Sequence, residues 1–215
     1  MPATESPARP VSTPLRAPAS TTPLSAALAR CGDETTRNLV RELRAADAAL
    51  VDHGAAVASL AVTIGIQLQL PGERLSTLCR AALLHDIGKQ YVPRNVLDKP
   101  RALLAHERQV VEAHPVLGAT MLLHHGLLAE ASIVRHHHER WDGTGYPDRL
   151  DREAIPLESR IIVVADALDA MTTDRAYRVA MRRETALAEI RRASGSQFDP
   201  RCVAALCGPP GIAAG

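Results

Sequence analysis

From Asp33 onward the apolar residues recur at three- and four-residue intervals, and nowhere do they alternate over the length of a strand. That period confines the chain to packed helices. Aromatic residues make up only 2% of the chain, so the core has to be built from leucine, alanine, valine and isoleucine. Such a mixture suits helices better than sheets. Asp33 is placed to cap a helix running through Leu39, Leu43, Leu50, Val57 and Leu60. Pro71 and Gly72 interrupt, and Leu75, Leu78, Ala82 and Leu83 form the stripe of the next helix. Further helices are predicted near 105–113, from Pro115 with His114 at its mouth, near 130–139, from Pro156, over 184–193, and from Asp199 and Pro200. Residues 142–147 carry turn residues and are predicted as a loop. Six prolines fall in the first 23 residues, so 1–32 is predicted as a disordered tail. One domain is expected over 33–208, with a flexible C-terminus at 209–215.

Several function classes are disfavoured by composition. A net charge of +1 marks neither a nucleic-acid binder nor a membrane-surface binder. The longest weakly polar run, 54–66, is too short to cross a bilayer, so no membrane insertion is expected. The N-terminus lacks the apolar centre of a signal peptide. Cys31, Cys79, Cys202 and Cys207 form no CxxC pair, and they read as reduced thiols in a cytoplasmic protein.

Five segments present metal-ligating side chains: His53, the pair His85-Asp86, His114, the pair His137-His138, and Asp166. All but His114 fall within predicted helices, and inward projection from several helices is how bundle metal sites are made. Five histidines and two aspartates exceed the needs of one ion, and Asp86 is suited to bridge two. A lone histidine or aspartate is usually an ordinary surface residue, and His106, His124, His125 and His136 read that way. His85-Asp86, however, ends the apolar stretch 81–84, and Asp166 interrupts the apolar run 161–165. Ionisable groups so placed are costly unless partnered. Imidazole with carboxylate and no thiolate suits iron, manganese, zinc or nickel rather than a structural zinc site. Of 25 basic residues only Lys89 and Lys99 are lysine. Lys89 lies three and four residues after Asp86 and His85, on one helical face with them, where a solvated lysine is the plain alternative to a proton donor or phosphate contact. Arg175 and Arg178 fit phosphate oxygens or a guanine edge, and equally an ordinary surface in an arginine-rich chain.

The run 81–89, containing His85-Asp86-Ile87-Gly88-Lys89, resembles the HDxxK signature of HD-GYP domains. So do His114-Pro115 with Gly118, the run 137–147 ending in Gly145-Tyr146-Pro147, the stretch from Asp166 through Arg178, and the closing Gln197-Phe198-Asp199-Pro200. The resemblance covers residues 45–207. It implies an all-α HD-domain helical bundle with a C-terminal helical HD-GYP extension. It also implies a bacterial cyclic di-GMP phosphodiesterase releasing linear pGpG, and in some members GMP. Carried over residue by residue, His53, His85, Asp86 and Asp166 would hold one metal, and Asp86, His114, His137 and His138 the other. Asp86 and Lys89 would be catalytic, with iron or manganese the expected metals. Lys89, Arg175, Arg178, Gly145 and Tyr146 would contact the substrate, and the GYP loop would meet diguanylate cyclase domains. Ala49 stands where some members carry a glutamate for a third metal, so two ions are expected. Residues 148–152 lack the glycines that the family often places after its loop.

Two other readings stand beside hydrolysis of cyclic di-GMP. One is an inactive domain that senses the nucleotide or binds proteins; the other is an HD hydrolase for a different nucleotide. The intact ligand set disfavours the first, and the GYP-type loop disfavours the second.

Overall fold

The computed structural model describes residues 22–99, 101–174 and 179–208. Its described residues are helical, and no strand occurs among them beyond an isolated bridge between Ser194 and Phe198. The all-α architecture expected from the apolar period is thus the observed one.

Helix α3 (Ala48–Gln67) is the centre of the molecule. Around it pack α1 (Pro23–Cys31), α2 (Glu34–Ala46), α4 (Gly72–Leu84), α9 (Leu157–Thr172) and α11 (Pro200–Cys207). Val51, Ala55, Val57, Ala58, Ala61 and Ile64 of α3 are almost fully buried. Each large apolar side chain so enclosed contributes about 1.5–3 kcal/mol. By length and composition α3 would suffice to cross a membrane, a wider span than 54–66 suggested, but half of its apolar window is buried in the molecule. At Gly54, α3 and α4 nearly touch: an added Cβ would lie 2.4 Å from the Leu83 carbonyl oxygen.

Two expectations are corrected here. Residues 23–31, assigned to the tail, form α1: Thr22 accepts from the Ser25 amide, Pro23 opens the helix, and Ala27 and Cys31 are buried. The helix expected to run from Asp33 through Leu60 is two helices. Asp47 breaks it, its carboxylate accepting from the Ala49 and Leu50 amides to start α3.

A second layer holds α6 (Ala105–Glu112), α7 (His114–His124) and α8 (Leu128–Arg135), with α5 (Arg94–Leu97) against α6. A 3₁₀ turn at Ile87–Tyr91 joins α4 to this layer and packs on α7. Gly88 makes that contact possible, because a Cβ there would sit 2.0 Å from the His114 carbonyl oxygen. Helix α10 (Arg183–Arg192) and α11 close the molecule against α9. The buried Arg160 of α9 pairs with Asp199, the α11 cap, at 2.8 Å, and its guanidinium lies 5.6 Å over the Trp141 ring. Trp141 in turn donates its amide to the Gln197 carbonyl. In the glycine-poor loop after Pro147, Arg149 and Arg152 take positive φ values of 55° and 45°. Bidentate pairing of Arg135 with Asp148 and the Arg152 amide on the Trp141 carbonyl hold that strained backbone.

Candidate metal centre

The helices stop where the ligands begin. His85 caps the C-terminus of α4, and Asp86 precedes the 3₁₀ turn. His114 follows the end of α6 and opens α7, and His137 and His138 follow the end of α8. Only His53 and Asp166 lie inside helices, α3 and α9. The expectation that all but His114 sit within helices is therefore corrected for His85, Asp86, His137 and His138.

This placement has a chemical reason. The last carbonyls of a helix lack intrahelical donors. His85, His114 and His137 each donate from Nδ1 to the carbonyl three residues earlier: Ala82 at 2.8 Å, Val111 at 2.7 Å and Val134 at 2.6 Å. With Nδ1 so occupied, each imidazole in its neutral form carries its lone pair on Nε2. Those nitrogens converge. His114 Nε2 and His137 Nε2 are 3.3 Å apart, and His114 Nε2 lies 3.2 Å from Asp86 Oδ1. All are acceptors, so none satisfies another; His85 Nε2 and Asp86 Oδ1 are buried without a hydrogen-bond partner. Lone pairs gathered in this way, on residues 4% exposed or less, fit a cation.

The donors fall into two groups that share Asp86. One comprises Asp86, His114, His137 and His138; the other comprises His53, His85 and Asp86. Asp166 joins the second through an oxygen 3.2 Å from His53 Nε2. All seven sequence-predicted ligands are thus in one place.

Charge is distributed unevenly among them. Burial, reinforced by neighbouring imidazoles, pushes His137 well below the usual histidine range and His138 down to about 3. Burial lowers His85 as well, so these three rings are neutral and available as ligands. At His53 burial acts in the same direction, but the carboxylates of Asp166, Asp169 and Asp86 outweigh it and raise the group to about 9. Burial would raise Asp86; Lys89, His85 and His114 beside it hold it well below the carboxylate range. Asp166 is likewise held at about 2 against burial, by His53 and His85.

Asp169 was missed from sequence. Its Oδ2 accepts from His53 Nδ1 at 2.7 Å, giving His53 the orienting partner that backbone carbonyls give the other rings. The available signal was its spacing of three from Asp166, which puts both on one face of α9.

A cavity of about 650 Å³ opens on the cluster, lined among others by His53, Asp86, Lys89, His138, Asp166 and Asp169. Lys89 Nζ sits 2.6 Å from Asp86 Oδ2 at its wall. Gly145 and Tyr146 do not line it. Tyr146 stacks on His138, with ring centroids 5.0 Å apart and 26° between planes. Gly145 lies against the backbone of 138–140, where a Cβ would come within 2.4 Å of the Arg140 amide nitrogen. In this structure the two residues pack on His138 and its backbone neighbours, whereas sequence suggested contact with substrate. His136 turns away to Asp148 at 2.9 Å, and His106, His124 and His125 are exposed. Arg175 and Arg178 lie outside the described residues.

Comparison with known proteins agrees with this geometry. A family model described as "HD domain" matches residues 37–202. The cyclic di-GMP phosphodiesterase response regulator RpfG of Xanthomonas campestris pv. campestris is 40% identical over 176 residues, covering 80% of this chain and 47% of that protein. Among solved structures, a cyclic GMP-AMP specific phosphodiesterase of V. cholerae (V-cGAP3) is 25% identical with a TM-score of 0.56, covering 72% of this chain and 42% of that one. Bd1817, an HDG"Y"P protein from Bdellovibrio bacteriovorus, shares the fold at 16% identity, with a TM-score of 0.65 and coverage of 89% and 74%. The chain spans less than half the length of the curated relatives it matches. With the family model matching over three-quarters of its length and the ligand cluster in place, the chain belongs to the HD-domain family, and within it to the HD-GYP type.

Proposed function

We propose that this domain hydrolyses cyclic di-GMP to linear pGpG with two divalent metal ions, iron or manganese, held by the histidine–aspartate cluster. One observation carries the reading: a single buried carboxylate, Asp86, stands between two groups of inward-facing donors. His53, His85, Asp86 and Asp166 are assigned to one ion, and Asp86, His114, His137 and His138 to the other. When bound, the ions supply Lewis acidity that lowers the pKa of water and positive charge that stabilises phosphoryl oxygens.

The chain's own residues do the rest. Asp86 turns Oδ1 towards His114 and Oδ2 towards His85, so it is the residue that would serve both ions. Asp169 fixes the His53 ring. Lys89 brings an ammonium to the cavity wall, and it is assigned to the substrate phosphate and to protonation of the departing oxygen. Among the described residues that line the cavity, Asp47, Asp52, Asp86, Asp166 and Asp169 outnumber Lys89 and the protonated His53, so its net negative charge repels a phosphodiester until cations are bound. Arg175 and Arg178 are assigned to the dinucleotide, and the GYP loop to contacts with diguanylate cyclase domains. The relatives named as cyclic di-GMP phosphodiesterases support the substrate. The V. cholerae structure favours one second reading, a mixed guanine–adenine cyclic dinucleotide.

The test is turnover of both dinucleotides, followed by chromatography after anaerobic loading with Fe(II) or Mn(II). pGpG from cyclic di-GMP, lost in Asp86→Ala together with bound metal, is the expected result. No product despite two bound ions would identify a nucleotide sensor instead. Much faster turnover of the mixed dinucleotide would replace the substrate, and three ions per chain would overturn the two-metal assignment.

A further inference from the structure

Two of the four cysteines meet outside the metal cluster. Cys31 is the last residue of α1 and Cys79 lies in α4, two helices in direct contact. Both thiols donate to one acceptor, the Ala27 carbonyl oxygen, from 3.1 Å and 3.7 Å. They also lie within hydrogen-bonding reach of each other. Neither is bonded in a disulfide. Cys31 is 6% exposed and Cys79 1%, yet Cys79 forms part of the wall of a groove of about 220 Å³ between α1 and α3. Arg30 lines the same groove, and Arg80 follows Cys79 in the chain.

From the juxtaposed thiols, the groove and its arginine, we propose that Cys31 and Cys79 are a redox-active dithiol that closes reversibly into a disulfide clamping α1 onto α4. The oxidant is a small anionic disulfide of the glutathione type. The two sulfurs have different environments. The hydrogen bond from Cys31 lowers Cys79; burial opposes that, and the Arg30 and Arg80 charges add to it. The same hydrogen bond, with burial, raises Cys31. Cys79 is therefore the attacking sulfur and Cys31 the resolving one.

In the first step the Cys79 thiolate attacks one sulfur of the small disulfide. The S–S bond breaks, a mixed disulfide forms, and one small thiolate leaves and takes up the Cys79 proton. The Cys31 sulfur then attacks Cys79, forming the intramolecular disulfide and expelling the second small thiol with the Cys31 proton. The protein loses two electrons and two protons, and the small disulfide gains both. The alternative is that both residues are inert small apolar side chains of the core.

The experiment treats the folded, reduced, Mn(II)-loaded chain with glutathione disulfide, blocks free thiols in acid, and maps the cysteine peptides by mass spectrometry. The expected product is a cross-linked pair containing Cys31 and Cys79, with two of the four thiols lost together and restored by dithiothreitol. Cys31→Ala should trap glutathione on Cys79, and Cys79→Ala should give neither the trap nor the cross-link. The proposal is overturned if both cysteines stay reduced while the half-buried Cys207 reacts, or if the link forms only in denaturant. The wild-type result decides without any substitution, so a variant that fails to fold leaves the test intact. Because the readout is a peptide map, it is independent of catalytic activity.

Discussion

His85, His114 and His137 are aimed by backbone carbonyls, whereas His53 is aimed by a carboxylate, Asp169. A carbonyl cannot be removed by substitution, so His53 is the ligand most open to tuning. Asp169→Ala should weaken the ion at His53 by about 10–100-fold, the usual effect of losing such a partner. Competition with a chromogenic chelator would read this as one weakened ion beside one unchanged. Lys89 separates from the ligands in the opposite way. Lys89→Ala should lower turnover by about 10²–10⁴-fold, as loss of a proton donor does, with two ions retained. Full turnover in that variant would remove Lys89 from the chemistry. His85, Asp86 and Asp166 stood out in sequence because ionisable groups directly follow the apolar stretches 81–84 and 161–165, where burial without partners is costly. Asp169 and Cys79 did not, because partners more than 40 residues away in the chain decide what each does.

At the scale of elements, starts were legible and continuations were not. The Asp33 and Asp199 caps, Pro115 inside the first turn and the helix after Pro156 are local chemistry, readable from a few adjacent residues. The break at Asp47 is hidden by an apolar period that continues across it from Leu43 to Leu50. Helix α1 is hidden by proline-rich composition, and only packing against α3 and α4 reveals it. The shift of His85 and His137 from helix interiors to helix ends, with Asp86 and His138 next to them, has the same origin, since a histidine that donates to a free carbonyl looks periodic in sequence. The Gly88 contact is where one element sets the position of another. Gly88→Ala would drive Cβ against the His114 carbonyl, which is backbone and has no rotamer to yield. It should cost about 1–3 kcal/mol in urea unfolding. It should also weaken the ion shared by Asp86, His114, His137 and His138 more than the one at His53.

For the whole molecule, the metal cluster and the core are one construction. Helix α3 carries His53 and touches five of the other helices, so an ion that ties it to α4 and α9 ties most of the fold together. Ions that bind only the folded chain stabilise it by mass action, by about 2.7 kcal/mol at a hundred times Kd. Chelation should therefore lower the unfolding midpoint, and Mn(II) should restore it in proportion to the metal taken up. A midpoint indifferent to metal would place the binding energy elsewhere. The molecule also carries its own optical reporter. Trp141 is the single tryptophan, fixed between the Arg160 guanidinium and the Gln197 carbonyl. Its emission samples the corner where the GYP-bearing loop, α9 and the closing turn meet, while circular dichroism samples every helix. Comparing the two signals during unfolding distinguishes loosening of that corner from loss of the whole fold, with no label attached.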